Sequence, residues 1–175
     1  MRVQDSLVLA ALHPFLIHFA IGLLLVGPAM DTIGLLLRRE TLLLTGRWNA
    51  IIGAAILVLV ELTGFAAEAE LGPHSAAGEA LLHLHAALGH LCVAIWVPVA
   101  LWRALVKSVL PVRLRTLYLV LSYTGAALIF SQAALGATLV YRHGVGLNAA
   151  ARAEPMVHRP AAPGAIDHPE LVPKN

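Results

Sequence analysis

Apolar residues in this chain do not alternate with polar ones. They run in four long blocks. The first extends from about Leu9 to Leu37 and is stopped by Arg38-Arg39-Glu40. The second runs from Trp48 to about Ala67 and ends in Glu68-Ala69-Glu70. The third runs from about Leu81 to Trp102, before Arg103 and Lys107, and the fourth from about Leu117 to Tyr141, before Arg142. Each block holds about 20 residues or more, enough to cross roughly 30 Å of hydrocarbon as a helix. Each is apolar on every face, which suits lipid rather than a surface with one wet side. The pattern predicts an all-α fold. Residues 1–147 form a four-helix transmembrane bundle running up-down-up-down, and residues 148–175 form a flexible polar tail rich in Ala, Pro and charge.

Proline and glycine fit this picture. Pro28 and Pro98 fall inside blocks one and three, where neighbouring helices in a bilayer accommodate a kink. Pro14 is expected near a helix start, where a missing N–H costs little. Gly22, Gly27, Gly53, Gly64 and Gly136 permit close helix approach. Gly144 reads as the cap that ends helix four.

Composition strengthens the membrane reading. Of 175 residues, 59% are hydrophobic and only 13% are charged, against roughly a quarter charged in a soluble domain. The net charge of +2 gives no reason to expect a nucleic-acid partner. A single cysteine, Cys92, excludes an intrachain disulfide and any multi-cysteine metal site. The link between blocks one and two carries Arg38, Arg39 and Arg47, and that between three and four carries Arg103, Lys107, Arg113 and Arg115. The link between two and three has Glu68, Glu70 and Glu79 but no Lys or Arg. By the positive-inside rule the basic links are cytoplasmic. Both termini and the acidic link then face outward, to the periplasm of a bacterial inner membrane. Trp48, Trp96, Trp102, Tyr118 and Tyr141 read as interfacial anchors.

Histidine is where chemistry enters. All of the chain's nine histidines fall on the outer side of this topology or in the tail. His13 and His18 open helix one, His83, His85 and His90 open helix three, and His143 emerges from helix four. In depth, His18, Glu61, His90 and the pair Ser131 and Gln132 agree to within a helical turn. Each helix therefore supplies a polar group at one level, and polar groups in lipid must find partners. His13 and His18 differ by about 140° in phase, so any shared site is interhelical. Helices one and three, diagonal in a simple bundle, would face a common centre. Asp31, on the inner side, is expected to form a structural ion pair with Arg47 or Lys107.

Three stretches resemble a bacterial integral-membrane family, domain of unknown function 2231. They are Leu12-His13-Pro14-Phe15-Leu16-Ile17-His18-Phe19-Ala20-Ile21-Gly22 with Asp31 beyond it, His85-Ala86, and Gly136-Ala137-Thr138-Leu139-Val140-Tyr141-Arg142-His143-Gly144-Val145-Gly146. The likeness spans about Leu12 to Leu147. Ala20 stands where the family often has proline, and Gly89 where a polar residue is common, with His90 beside it as a replacement. The resemblance implies a small four-helix membrane domain associated with redox partners such as Rieske-type or cytochrome proteins. Its motifs match His13, His18, His85 and His143.

Three functions follow from these residues. The first is a b-type haem, with His18 and either His85 or His90 as axial imidazoles. Gly22 and Gly89 would admit the macrocycle, and Glu61, Gln132 or Ser131 would support the ligands. The protein would then transfer electrons, with quinone or a redox protein as partner. The second is a copper or zinc site for binding or transport, built from His13, His18, His85 and His143. The third is a structural accessory subunit in which the histidines are capped or hydrogen-bonded. No nucleophile–base–orienter set is present, so a stand-alone enzyme is not expected.

Overall fold

The computed structural model describes residues 3–106 and 114–146, with side chains from residue 11 onward. The tail from residue 148 and the alternative partner Lys107 lie outside the described residues. Four helices account for nearly all of the rest: α1 (Val3–Leu37), α2 (Glu40–Ala69), α3 (Ala76–Leu105) and α4 (Arg115–His143). Each is long and apolar enough to span a membrane.

The ends of these helices have local causes. Arg38 adopts a left-handed φ of 53°, and the Arg39 N–H returns to the Gly34 carbonyl at 2.9 Å. The chain therefore reverses within two residues, and α2 begins at Glu40 rather than at Trp48 as expected. Glu40 in its first turn places a carboxylate against the exposed N–H groups there. Ser75 caps α3, its Oγ accepting from the Gly78 N–H at 3.1 Å. Gly144 ends α4 in the left-handed conformation, φ 62°, as the sequence indicates. Pro14 falls inside α1 rather than near its start, with Pro28 and Pro98 also inside helices.

The helices pack in cyclic order, α1 against α2, α2 against α3, α3 against α4, and α4 against α1. This leaves α1 diagonal to α3, as the up-down pattern predicts. Contact between α1 and α2 is close because small residues lie at the crossing. A Cβ on Gly53 would fall 2.6 Å from Leu24 Cδ2. The central layer is apolar, built on Ala20, Leu24, Leu57, Cys92, Trp96 and Ile129. Trp96, expected as an interfacial anchor, is wholly buried there, its indole against Gly125. Trp48 and Tyr141 do lie on the surface.

One end of the bundle carries the short α1–α2 turn and is called here the arginine end. Asp31 sits there, completely buried, and pairs with Arg103 rather than with Arg47. Arg103 Nη2 lies 2.9 Å from Asp31 Oδ1 and donates also to the Leu43 carbonyl at 2.6 Å. Tyr118 donates to Asp31 Oδ2 at 2.5 Å, so it too is interior and not an anchor. The reason is helical phase. Arg103 projects inward from α3 and is also completely buried, whereas Arg47 lies at the α2–α3 edge and donates to the Ala104 carbonyl at 2.8 Å. Asp31, Leu43, Arg103 and Tyr118 come one from each helix, so a single cluster ties all four. Gly46 makes room for it, since a Cβ there would lie 2.5 Å from Asp31 Cγ.

Removing one member of a buried ion pair strands the other charge, at a cost of about 3–5 kcal/mol. Arg103→Ala is therefore expected to lower the melting temperature in detergent more than any single exposed-residue change. The double variant Asp31→Leu, Arg103→Met should recover most of that loss. Circular dichroism melts of the two proteins check both outcomes.

Candidate functional site

At the opposite end, here the histidine end, the bundle opens into a cavity of about 1110 Å³. This exceeds the roughly 300–1,000 Å³ common for small-molecule and cofactor sites. Its walls are largely apolar, with Ile17, Leu57, Phe65 and Leu82 among them, and Cys92 at the floor. Every helix adds a polar side chain: His13 from α1, Glu61 from α2, His85 and His90 from α3, and Gln132 from α4. The rim is acidic, with Glu68 and Glu70 beside the Leu71–Pro73 connection.

Glycines seat the polar groups. A Cβ on Gly64 would stand 3.2 Å from His13 Cε1, and one on Gly136 3.2 Å from His85 Cε1. A Cβ on Gly89 would stand 3.0 Å from Glu61 Oε2 and 3.2 Å from Gln132 Nε2. The space beside Gly89 is thus filled by polar side chains arriving from α2 and α4.

Hydrogen bonds fix how the rings are held. His13 donates from Nδ1 to the Val60 carbonyl at 2.9 Å, which leaves Nε2 outside that bond. His90 donates from Nδ1 to the Ala86 carbonyl at 2.7 Å, and its Nε2 faces Glu61 Oε1 at 3.3 Å. The Phe65 ring packs on His90 with centroids 5.6 Å apart. Gln132 donates to the His85 backbone carbonyl at 2.8 Å. The His85 Nδ1 and Gln132 Oε1 atoms are buried and without a hydrogen-bond partner.

These positions redraw the expected constellations. Glu61, His90 and Gln132 do share a level. His18 is turned to the outer face, exposed, with Nδ1 bonded to the Pro14 carbonyl at 2.6 Å, and does not line the cavity. The proposed pairing of His18 with His85 or His90 is therefore not formed. Ser131 is exposed and bonded back to the Ala127 carbonyl. His143 lies by Gly78 near the end of α4 and also stays out of the cavity. The four-histidine set of His13, His18, His85 and His143 does not converge. Among the described residues no three His, Cys, Asp or Glu side chains are placed to hold one metal ion. Of the remaining histidines, His74 and His83 pair with Glu79 outside the cavity.

Of the two histidines near the start of the α1 span, His13 is the one that lines the cavity. Eighteen residues separate it from Asp31, and eighteen also separate His85 from Arg103. That is five turns of 3.6 residues, so both histidines share a face with the buried ion pair.

Cys92 is wholly buried although it lies at the cavity floor. A bulky maleimide is expected to leave it unlabelled in the folded, detergent-solubilised protein and to modify it fully after denaturation. Intact-mass spectrometry gives the answer, and rapid labelling of the folded protein would contradict this packing.

No curated protein and no solved structure matches the chain. The model of one protein family does match, over residues 9–149, and its description is a predicted membrane protein. That span covers α1 from Leu9 onward, the other three helices and every residue of the cavity. The chain is a member of the predicted membrane protein family DUF2231.

Proposed function

We propose that the cavity binds a b-type haem and that the domain carries electrons as part of a membrane redox complex. One observation carries this reading. His13 and His85, from diagonally opposed helices, line one large apolar cavity, each ring seated on a glycine of an adjacent helix. Bis-imidazole haem sites in helical bundles need two facing histidines, small residues beside the macrocycle and apolar walls.

The donor set fits the group. His13 has its Nδ1–H engaged by the Val60 carbonyl, the arrangement that orients a ligating imidazole and leaves Nε2 free. His85 Nδ1 is buried and has no hydrogen-bond partner. The proposed ligands are thus His13 and His85, with His90 and Glu61 beside them rather than at the iron. When bound, the haem would supply a one-electron couple. The protein would hold it and exclude bulk water from its apolar faces.

The orientation belongs to the same proposal. Arg38, Arg39, Arg47 and Arg103 gather at one end, and between Arg47 and Arg103 there is no Lys or Arg. With the arginine end cytoplasmic, the cavity opens to the periplasmic side of a bacterial inner membrane. A soluble or membrane-anchored one-electron carrier, Rieske-type or cytochrome, would meet it there.

The test is an absorption spectrum of protein purified from haem-supplied cells, before and after dithionite. A Soret band and sharpened reduced α and β bands are expected. His13→Ala and His85→Ala should each lose most of the bound haem, while His18→Ala keeps it. Retention in both single variants, or a colourless wild-type protein, would reject the reading.

A further inference from the structure

We infer that the side of the cavity formed by Glu61, His90 and Gln132 takes the dihydroxy head of a lipid-soluble hydroquinone. The inference rests on the redox reading of the cavity and adds a substrate class to it.

The first support is an unmet acceptor. Gln132 is only 7% exposed, its Nε2 is spent on the His85 carbonyl, and its Oε1 has no partner. A buried acceptor left unpaired costs roughly 1–3 kcal/mol, so a ligand hydroxyl that donates to it is stabilised by that relief. The second is the neighbouring carboxyl. Glu61 Oε2 and Gln132 Nε2 both crowd the space that a Cβ on Gly89 would fill. Glu61 and the Gln132 amide thus lie side by side on one patch of wall.

The third is the state of the Glu61–His90 pair. His90 Nδ1 faces a carbonyl and must carry a proton. Its Nε2 faces a carboxyl oxygen of Glu61 at 3.3 Å, within ion-pair range. A carboxyl and an imidazole side by side are the side chains best suited to accept a proton and pass it on.

The remaining wall defines what else the ligand must be. Leu57, Phe65 and Leu82 are apolar, and no Lys or Arg lines the cavity among the described residues. An aromatic head with two hydroxyls and an apolar tail matches both halves of the wall.

The chemistry balances. Oxidation breaks the two O–H bonds of the hydroquinone and converts its two C–O bonds to carbonyls, releasing two electrons and two protons. A haem held by His13 and His85 would take these electrons one at a time and hand each to an external one-electron carrier, the terminal oxidant. Each proton passes to the Glu61–His90 pair and from there to water at the mouth.

The experiment is anaerobic stopped-flow mixing of the haem-loaded protein with excess decyl-hydroquinone, following the reduced α band. Wild-type haem is expected to be reduced within the mixing experiment, and His18→Ala at the same rate. Glu61→Gln, which keeps shape, and His90→Phe should slow reduction by on the order of a hundredfold, the usual contribution of a positioned acid–base group. Their dithionite-reduced spectra should stay unchanged, which reports an intact haem site. Haem that dithionite reduces but the hydroquinone does not, or variants that react at the wild-type rate, would overturn the inference and leave the haem reading standing. A colourless protein would reject the haem reading instead. Anaerobic equilibrium binding of decyl-hydroquinone to that protein then decides: binding lost in Gln132→Leu and Glu61→Gln supports the site, and no binding overturns it.

Discussion

The bundle hangs on a charge pair in a place where charges are expensive. Asp31 and Arg103 are both fully buried and 2.9 Å apart across the diagonal of four membrane helices. An isolated charge in hydrocarbon costs at least a few kcal/mol, so neither residue is tolerable without the other. Tyr118 and the Leu43 carbonyl complete the coordination from the two remaining helices. An apolar replacement would pack as well, and buried pairs are often no more stabilising than their hydrophobic equivalents. What the pair supplies is register. Asp31 meets Arg103 only when α1 and α3 stand at one relative height and rotation, and Gly46 leaves space for that height alone.

The cavity at the other end inherits this register. His13 lies five turns along α1 from Asp31, and His85 five turns along α3 from Arg103. Once the ion pair is made, both histidines are turned inward at similar depth. The apolar layer of Leu24, Leu57, Trp96 and Ile129 between the two ends is rigid packing that transmits the alignment. The same phase turns His18 outward, about 140° from His13. The arginine end therefore acts as a positioning device for the histidine end, although no side chain spans the two.

The polar groups of the cavity are arranged by subtraction. Gly64, Gly89 and Gly136 each lack the one atom that would collide with a polar side chain from another helix. At Gly89 a polar residue of its own would have competed with Glu61 and Gln132 for the same space. The result is a wall that carries a paired carboxyl and imidazole and, from the diagonal helices α1 and α3, two less engaged imidazoles. Those two groups underlie, respectively, the substrate and haem assignments put forward above.

The four spans, the all-α bundle, the Gly144 cap and the clustering of histidine toward one end were legible in the sequence. Each follows from local rules: hydrophobic length, the left-handed tolerance of glycine, and the charge of the links. The common level of Glu61, His90 and Gln132 was legible too, because depth along a helix is simple counting. The eighteen-residue spacings were also present in the sequence, but they acquire meaning only once Asp31 and Arg103 are known to be partners. That choice was tertiary. Arg47 and Arg103 are equally basic and similarly placed along their helices, and only the rotation of α3 against α1 turns Arg103 inward while Arg47 caps the carbonyl of Ala104. Rotation also decided between His13 and His18, since one sequence motif offers both and packing admits one. Depth in the membrane is written along the chain, but the face a helix presents to its neighbours is settled when the four pack together.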